Sequence, residues 1–433
     1  MPCWHWASGS AGLWAPRFVA DPAAAPAPSA TRAVLQAVAV SVLGVLPAFL
    51  TGALAVQIRA DLDVGLGLFG FAAATLFGVS GLCARPGGRL VQRLGARKGT
   101  ALAAVLSILS LTAVGLAQSP VWLMAGLAIG GLGNAVAQPS ANLGLSELVT
   151  EQRLGVAFGI KQSSIPAATL LGGLAVPGIA LVFGWRWAVA AAVALAVALL
   201  IWSQVSGRDA HSRARPAETG EPDKGLPRGG LVVLTLGGFL GSAAATPTGV
   251  FLVDSAVSSG VAPGTAGLLF AACSVLGIVS RIGFGLLADQ HPDRSRYLFI
   301  ANLLAGGAIG YGLLATGEVP MVVAGSFLAY VMGWAWTGLF HFAVIKDNRA
   351  AAASVTGFVQ TGLSLGAATG PLVFGIVAQT FSYTAAWLTA GVLSLLAAVT
   401  IRISRRMVRR SRGLPVAGLR RRPPLDADIQ APT

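Results

Sequence analysis

Residues 33–57 read AVLQAVAVSVLGVLPAFLTGALAVQ, 25 positions without a single charge. At 1.5 Å per helical residue such a run crosses a hydrocarbon layer of about 30 Å with some tilt, and no water-facing helix tolerates it. Eleven comparable runs of about 18 to 28 residues follow, at 64–85, 99–117, 121–145, 156–182, 187–205, 230–253, 264–287, 297–316, 321–345, 354–380 and 384–401. The 433 residues are 55% hydrophobic and 11% charged, with a mean hydropathy of +0.74 and 56 glycines. A soluble chain carries roughly 25% charged residues. Lipid is therefore the solvent for most of this protein, which excludes soluble enzymes, secreted disulfide scaffolds and disordered tails.

The runs fall into two sets of six around residues 206–229, SGRDAHSRARPAETGEPDKGLPRG, whose charge, Pro and Gly content marks a solvated linker. The expected organisation is a tail (1–32), a six-helix bundle (33–205), the linker, a second six-helix bundle (230–401) and a basic tail (402–433). Residues 1–30 lack the charged start and apolar middle of a signal peptide. The fold class is an all-α membrane protein, twelve transmembrane helices in two pseudo-symmetric bundles. An even number of crossings leaves both termini on one side, and 26 of the 30 Lys and Arg residues, counting Arg85 at the rim, fall on that side. The positive-inside bias makes it the cytoplasm of a multi-pass inner-membrane protein. The net charge of +14 is then topological, and the basic cluster Arg402–Arg412 with Arg420–Arg422 faces anionic lipid headgroups rather than nucleic acid.

The halves repeat at a shift of about 197 to 198 residues. GRLVQ from Gly88 aligns with GLLAD from Gly285, and Gly159, Gln162 and Gly172 align with Gly357, Gln360 and Gly370. The loop between the second and third runs, GGRLVQRLGARKG (87–99), with Gly88, Arg93, Gly95, Arg97 and Lys98, is echoed by GFGLLADQHPDRSR (283–296), with Gly285, Asp289 and Arg294.

With these residues the chain resembles the major facilitator superfamily over about residues 33–401. The resemblance implies two bundles rocking about a central site near the bilayer midplane, open to one side at a time. It also implies gating roles for Gly88, Arg93, Gly95, Arg97, Arg281 and Asp289. The family's loop aspartate is replaced by Gln92, which implies a weakened latch in the first half. GLSLGAATGP (362–371) is similar to the family's antiporter signature but stands in run 11, while run 5 has SIPAATLLGG (164–173) without the Gly-Pro pair. That departure takes weight from efflux by antiport.

Polar groups within a lipid-embedded helix are costly, so each is a candidate. Asn134, Gln138 and Asn142 recur every four residues and share one helix face, as cavity lining or as interhelical hydrogen bonds. Trp334, Thr337 and His341 lie three and four apart; the imidazole is a proton carrier and the tryptophan a wall, or both are packing. Lys161 beside Gln162 is either an anchor for an anionic ligand or a snorkelling side chain. Gln360, flanked by Thr356 and Ser364, presents a matching face. Asp254 at the outer end of run 7 is a second candidate for proton coupling, or simply a hydrated end. Arg281 pairs across the halves or snorkels.

Catalytic and metal-binding spacings are absent, Cys3, Cys83 and Cys273 are scattered, and no phosphate loop appears, so no cofactor is expected. The reading is a monomeric secondary transporter, not an enzyme, that moves a small organic solute such as an organic anion, with a proton as co-substrate. Proton-driven drug or metabolite efflux is the alternative, and a non-transporting membrane receptor a more distant one.

Overall fold

The computed structural model describes residues 28–149, 151–206, 228–290, 295–347 and 352–411. The first 27 residues and nearly all of the linker, on which two of the expectations fall, lie outside the described residues. In chain order the helices of the first half are α1 (Pro28–Ala53), α2 (Ala55–Leu62), α3 (Leu66–Gly115), α4 (Pro120–Leu148), α5 (Glu151–Gln162), α6 (Ser164–Ala175), α7 (Leu181–Phe183) and α8 (Trp185–Ser206). The second half comprises α9 (Arg228–Ser258), α10 (Pro263–Gln290), α11 (Arg296–Ala315), α12 (Val319–Leu328), α13 (Trp336–Asp347), α14 (Ala352–Thr380) and α15 (Tyr383–Ser411). π-Helical turns at Val176–Ala180 and Ala329–Trp334 join α6 to α7 and α12 to α13.

Eleven stretches among the described residues are long and apolar enough to cross a membrane, yet they make twelve passes. The 50-residue α3 would be about 75 Å long if straight. It reverses at Gly95, whose φ of 79° and ψ of 166° only glycine adopts without strain. A β-carbon placed on Gly99 would stand 3.3 Å from the Val91 side chain, eight residues back, so the two limbs fold against each other. The loop motif of the sequence is thus a single pivot between passes 2 and 3. Pass 5 is α5, α6 and α7 in series, and pass 10 is α12 and α13. The last helix runs past the expected end at residue 401 to Ser411, so the first arginines of the basic tail ride on its final turns.

Passes 1 and 12 meet the ends of the chain at one end of the bundle, here the terminal end; the opposite is the far end. Apolar burial differs between them. At the far end one continuous core runs through both halves, with Phe49, Phe69 and Phe77 of the first packed among Phe251, Trp334 and Phe374 of the second. At the terminal end there are two separate clusters. One gathers Val40, Val91, Ala137 and Leu145, the other Leu234, Ile300, Phe340 and Ile401. Large apolar side chains such as Leu82, Phe183 and Trp187 point outward, as a lipid-facing surface requires.

Small residues let the halves touch at the far end. A β-carbon on Gly52 of α1 would lie 2.7 Å from the Gly249 carbonyl and the Val250 Cα of α9. One on Gly375 of α14 would lie 2.5 Å from the Leu66 carbonyl of α3, and one on Gly173 of α6 would lie 2.7 Å from the Ala271 nitrogen of α10. Such close backbone approach is the usual membrane substitute for hydrophobic drive. Nearer the terminal end of the same passes, Gly88, Gly159, Gly285 and Gly357 meet nothing within 4 Å. The halves are clasped at the far end and separate at the other.

Candidate functional site

The polar site lies where helices break. Pro166 has no N–H to give the Gln162 carbonyl, so α5 stops at Gln162 and α6 restarts after Ser163, whose N–H bonds the Ile160 carbonyl at 3.0 Å in a tightened turn. Lys161 and Gln162, the last two residues of α5, meet partners on different sides of pass 5. In pass 10 the π turn shifts the register, and the Trp334 carbonyl accepts from Thr337 Oγ1 at 3.3 Å and from Arg281 Nη2 at 3.1 Å. Both breaks occur at mid-pass, where irregular backbone is tolerated only against protein or a cavity.

Lys161 is 4% exposed. Its ammonium donates to Gln138 Oε1 at 2.5 Å; Gln138 Nε2 donates to Asn134 Oδ1 at 3.2 Å, and Asn134 Nδ2 to Ser80 Oγ at 2.9 Å. This string runs from pass 5 through pass 4 to pass 2, all in the first half. Asn142, on the same face of α4, stays outside it, and its Oδ1 is buried without a hydrogen-bond partner. No carboxylate among the described residues pairs with Lys161. The snorkelling alternative is not what the geometry shows, because the head points inward to an amide.

The neighbouring residue begins a second string. Gln162 Nε2 lies 2.9 Å from His341 Nδ1, His341 Nε2 lies 3.0 Å from Gln360 Oε1, and Gln360 Nε2 donates to Ser364 Oγ at 3.4 Å. Only the first contact crosses between halves. In a neutral ring Nε2–H donates to Gln360 and the Nδ1 lone pair accepts from the Gln162 amide. The Thr337 carbonyl also lies 2.8 Å from Nδ1, so a second proton there has an acceptor waiting, at the expense of the Gln162 contact. Trp334 is buried edge-on to Phe49 and Tyr330, sealing the half boundary beneath the site.

Asp254 is far from this girdle. Its carboxylate receives Arg59 Nη1 at 2.6 Å and the hydroxyl of Tyr383, tying α2 of the first half to α9 and α15 of the second at the far end. It is 6% exposed, so it is not a hydrated helix end. Arg59 also donates from Nε to the Val64 carbonyl at 3.1 Å. The sequence reading missed Arg59 and Tyr383. A cation on the arginine-poor side was the available signal, since it breaks the positive-inside pattern.

Arg281 is 3% exposed and bonds only carbonyls, those of Trp334 and, at 3.4 Å, Gly277. Neither snorkelling nor a carboxylate partner is seen for it. Gly88, Arg93, Gly95 and Arg97 sit around the terminal turn of α3, Arg97 Nη2 donating to the Gln204 carbonyl at 3.0 Å. The side chain of Asp289 lies outside the described residues.

Twelve passes in two halves, clasped at one end about a mid-membrane polar girdle, make the build of a membrane transporter. The family model of the Major Facilitator Superfamily matches residues 37–351, and the chain belongs to that superfamily. No curated protein matches in sequence. Among solved structures, a bacterial homolog of the human lysosomal transporter Spinster, inward-facing and unoccupied, is similar over 89% of this chain and 99% of that one, with 15% identity and a TM-score of 0.71. Its occupied form gives 0.70 over the same shares at 15% identity. The human organic anion transporter MFSD10 (TETRAN) is similar over 87% of this chain and 100% of that one, with 18% identity and a TM-score of 0.64. At such identities the likeness is one of fold.

Proposed function

We propose that the protein is a secondary transporter of a small organic anion, driven by protons and working by alternating access. The observation that carries this reading is Lys161, a buried ammonium at the half boundary whose only acceptor among the described residues is a neutral amide. An ion so desolvated is costly without a counter-charge. A substrate carboxylate supplies it, while Asn134, Gln138, Gln162, Thr337 and Gln360 offer donors and acceptors for the remainder of the molecule. That the human protein sharing the fold is an organic anion transporter agrees with this choice.

With the terminal end in the cytoplasm, the state described here faces inward. Two groups couple protons to its cycle. A proton at His341 Nδ1 turns to the Thr337 carbonyl and displaces the Gln162 amide, breaking the cross-half hydrogen bond beside the substrate. A proton on Asp254 removes the charge that holds Arg59 and lets the far end part. Uptake follows if protons and substrate enter together from the far side.

The glycine-rich stretch of pass 11 that is similar to an antiporter signature is occupied in helix packing, Gly366 lying against the Ala243 backbone of α9 with a β-carbon-to-nitrogen spacing of 3.1 Å. The test is transport in proteoliposomes under an imposed pH gradient. Accumulation of a labelled carboxylate that Lys161→Ala abolishes, in protein of unchanged thermal stability, supports the reading. Undiminished accumulation by that variant removes the anion argument; extrusion of lipophilic cations supports efflux instead, and binding without flux a receptor.

A further inference from the structure

Arg281 is a second buried cation with no counter-ion among the described residues. Its Nη atoms rest on the Trp334 and Gly277 carbonyls, its Nε is buried with no partner at all, and the nearest ring face, that of Trp334, is 5.9 Å away. The two described ion pairs, Arg59–Asp254 and Arg186–Asp61, are both at the far end. The acids on the two cations' own helices are well separated from them along the chain. Asp289 stands eight residues beyond Arg281 and Glu151 ten before Lys161, about 12 Å and 15 Å along a helix.

The two cations approach the same stretch of boundary from opposite halves. A β-carbon on Gly277, one turn before Arg281, would lie 3.5 Å from both Arg281 Nη1 and the Pro166 side chain. Pro166 is five residues past Lys161, about 7.5 Å along pass 5. α10 packs against α5, and the carbonyl that holds Arg281 also holds Thr337, whose own carbonyl meets His341 and, through it, Gln162. Arg281 therefore belongs to the girdle. Two like charges in a poorly polarisable interior repel, and a ligand with one negative charge leaves one of them uncompensated.

We propose that the substrate is a dianion, a short-chain dicarboxylate that bridges the halves with one carboxylate on Lys161 and the other on Arg281. The proposal rests on the organic-anion reading and narrows it. Dianion binding draws the two halves together about the site, so each charge takes part in closure, and a half-neutralised ligand engages one half only.

The test uses the full-length protein in lipid nanodiscs and calorimetric titration with succinate, glutarate and adipate, with the monomethyl ester of each, and with a set of simple monocarboxylates. The wild-type protein is expected to bind at least one diacid about tenfold or more tightly than its own half-ester, since a charged contact is lost in the ester. Arg281→Gln is expected to erase that gap, and Lys161→Gln to weaken diacid binding about tenfold as well. Half-esters or monocarboxylates that bind the wild type as tightly as the diacids overturn the dianion proposal and leave the anion reading standing, as does a gap that persists in folded Arg281→Gln. Silence across the whole panel overturns both. Should Arg281→Gln fail to fold, the wild-type comparison decides alone.

Discussion

The Arg59–Asp254 pair joins the two halves at the far end, and Asp254→Asn isolates its charge. The asparagine keeps an oxygen for the Tyr383 hydroxyl and nearly the same volume, so what is lost is the ionic part of a 2.6 Å contact. Breaking a wholly buried pair costs about 3–5 kcal/mol. Here the Asp254 side chain is 7% exposed but that of Arg59 is 26% exposed and retains its bond to the Val64 carbonyl, so about 2 kcal/mol is the fitting figure. That is roughly a thirtyfold rise in the population open at the far end. Val250, 1% exposed and set against Gly52 of the other half, is the reporter. In a background with Cys3, Cys83 and Cys273 replaced by Ala, Val250→Cys should react with a membrane-impermeant thiol reagent from the far side about thirty times faster once Asp254→Asn is added. Arg59→Gln should give a similar acceleration, and the double variant little more, because the two act through one contact. Labelling accelerated less than about threefold would refute the gate.

Gly52→Val should act in the same direction by sterics, since its β-carbon cannot occupy a space 2.7 Å from the Gly249 carbonyl; distance measurements between spin labels at Asp63 and Gly260 should show a wider far end, whereas an unchanged distribution counts against the clasp. Trp387→Phe removes a buried 2.8 Å hydrogen bond to Ser255 Oγ and part of the stack on Tyr311, and should lower stability by about 1–3 kcal/mol, read as a fall in melting temperature in detergent. Gln162→Leu removes the cross-half bond to His341 and one of the groups offered to the substrate while leaving Lys161 in place, and should both speed exchange between the two faces and weaken substrate binding; equal turnover in wild type and variant would contradict this.

Much of the architecture was legible because lipid leaves a chain few options. The apolar runs gave twelve passes, and the six-plus-six arrangement follows from the linker and the half-repeat. The reversal at Gly95 falls in the loop read between the second and third runs, but the interruption inside pass 10 was not legible, since the π turn at Ala329–Trp334 carries no proline or charge to mark it. Of the candidate site, the four-residue spacing places Asn134 and Gln138 side by side, as their hydrogen bond has them, and the adjacent Lys161 and Gln162 stand out as polar groups in an apolar run. Which partners they meet was beyond reach, because Gln162 and His341 are 179 residues apart and Arg59 and Asp254 are 195 apart. Asn142 obeys the same spacing yet bonds to none of the string, since periodicity fixes a direction around the helix and says nothing of what stands opposite.

The glycine contacts between passes 1 and 7, 2 and 11, and 5 and 8 have a kinetic consequence. Where long side chains interlock, two surfaces can separate only after many rotamers have changed. Bare backbone pressed on bare backbone has no teeth to disengage. At these three crossings the halves can part without unlocking side chains, so the resistance they meet is concentrated in the polar latches and in the aromatic packing of Phe49, Phe69, Phe251 and Trp334.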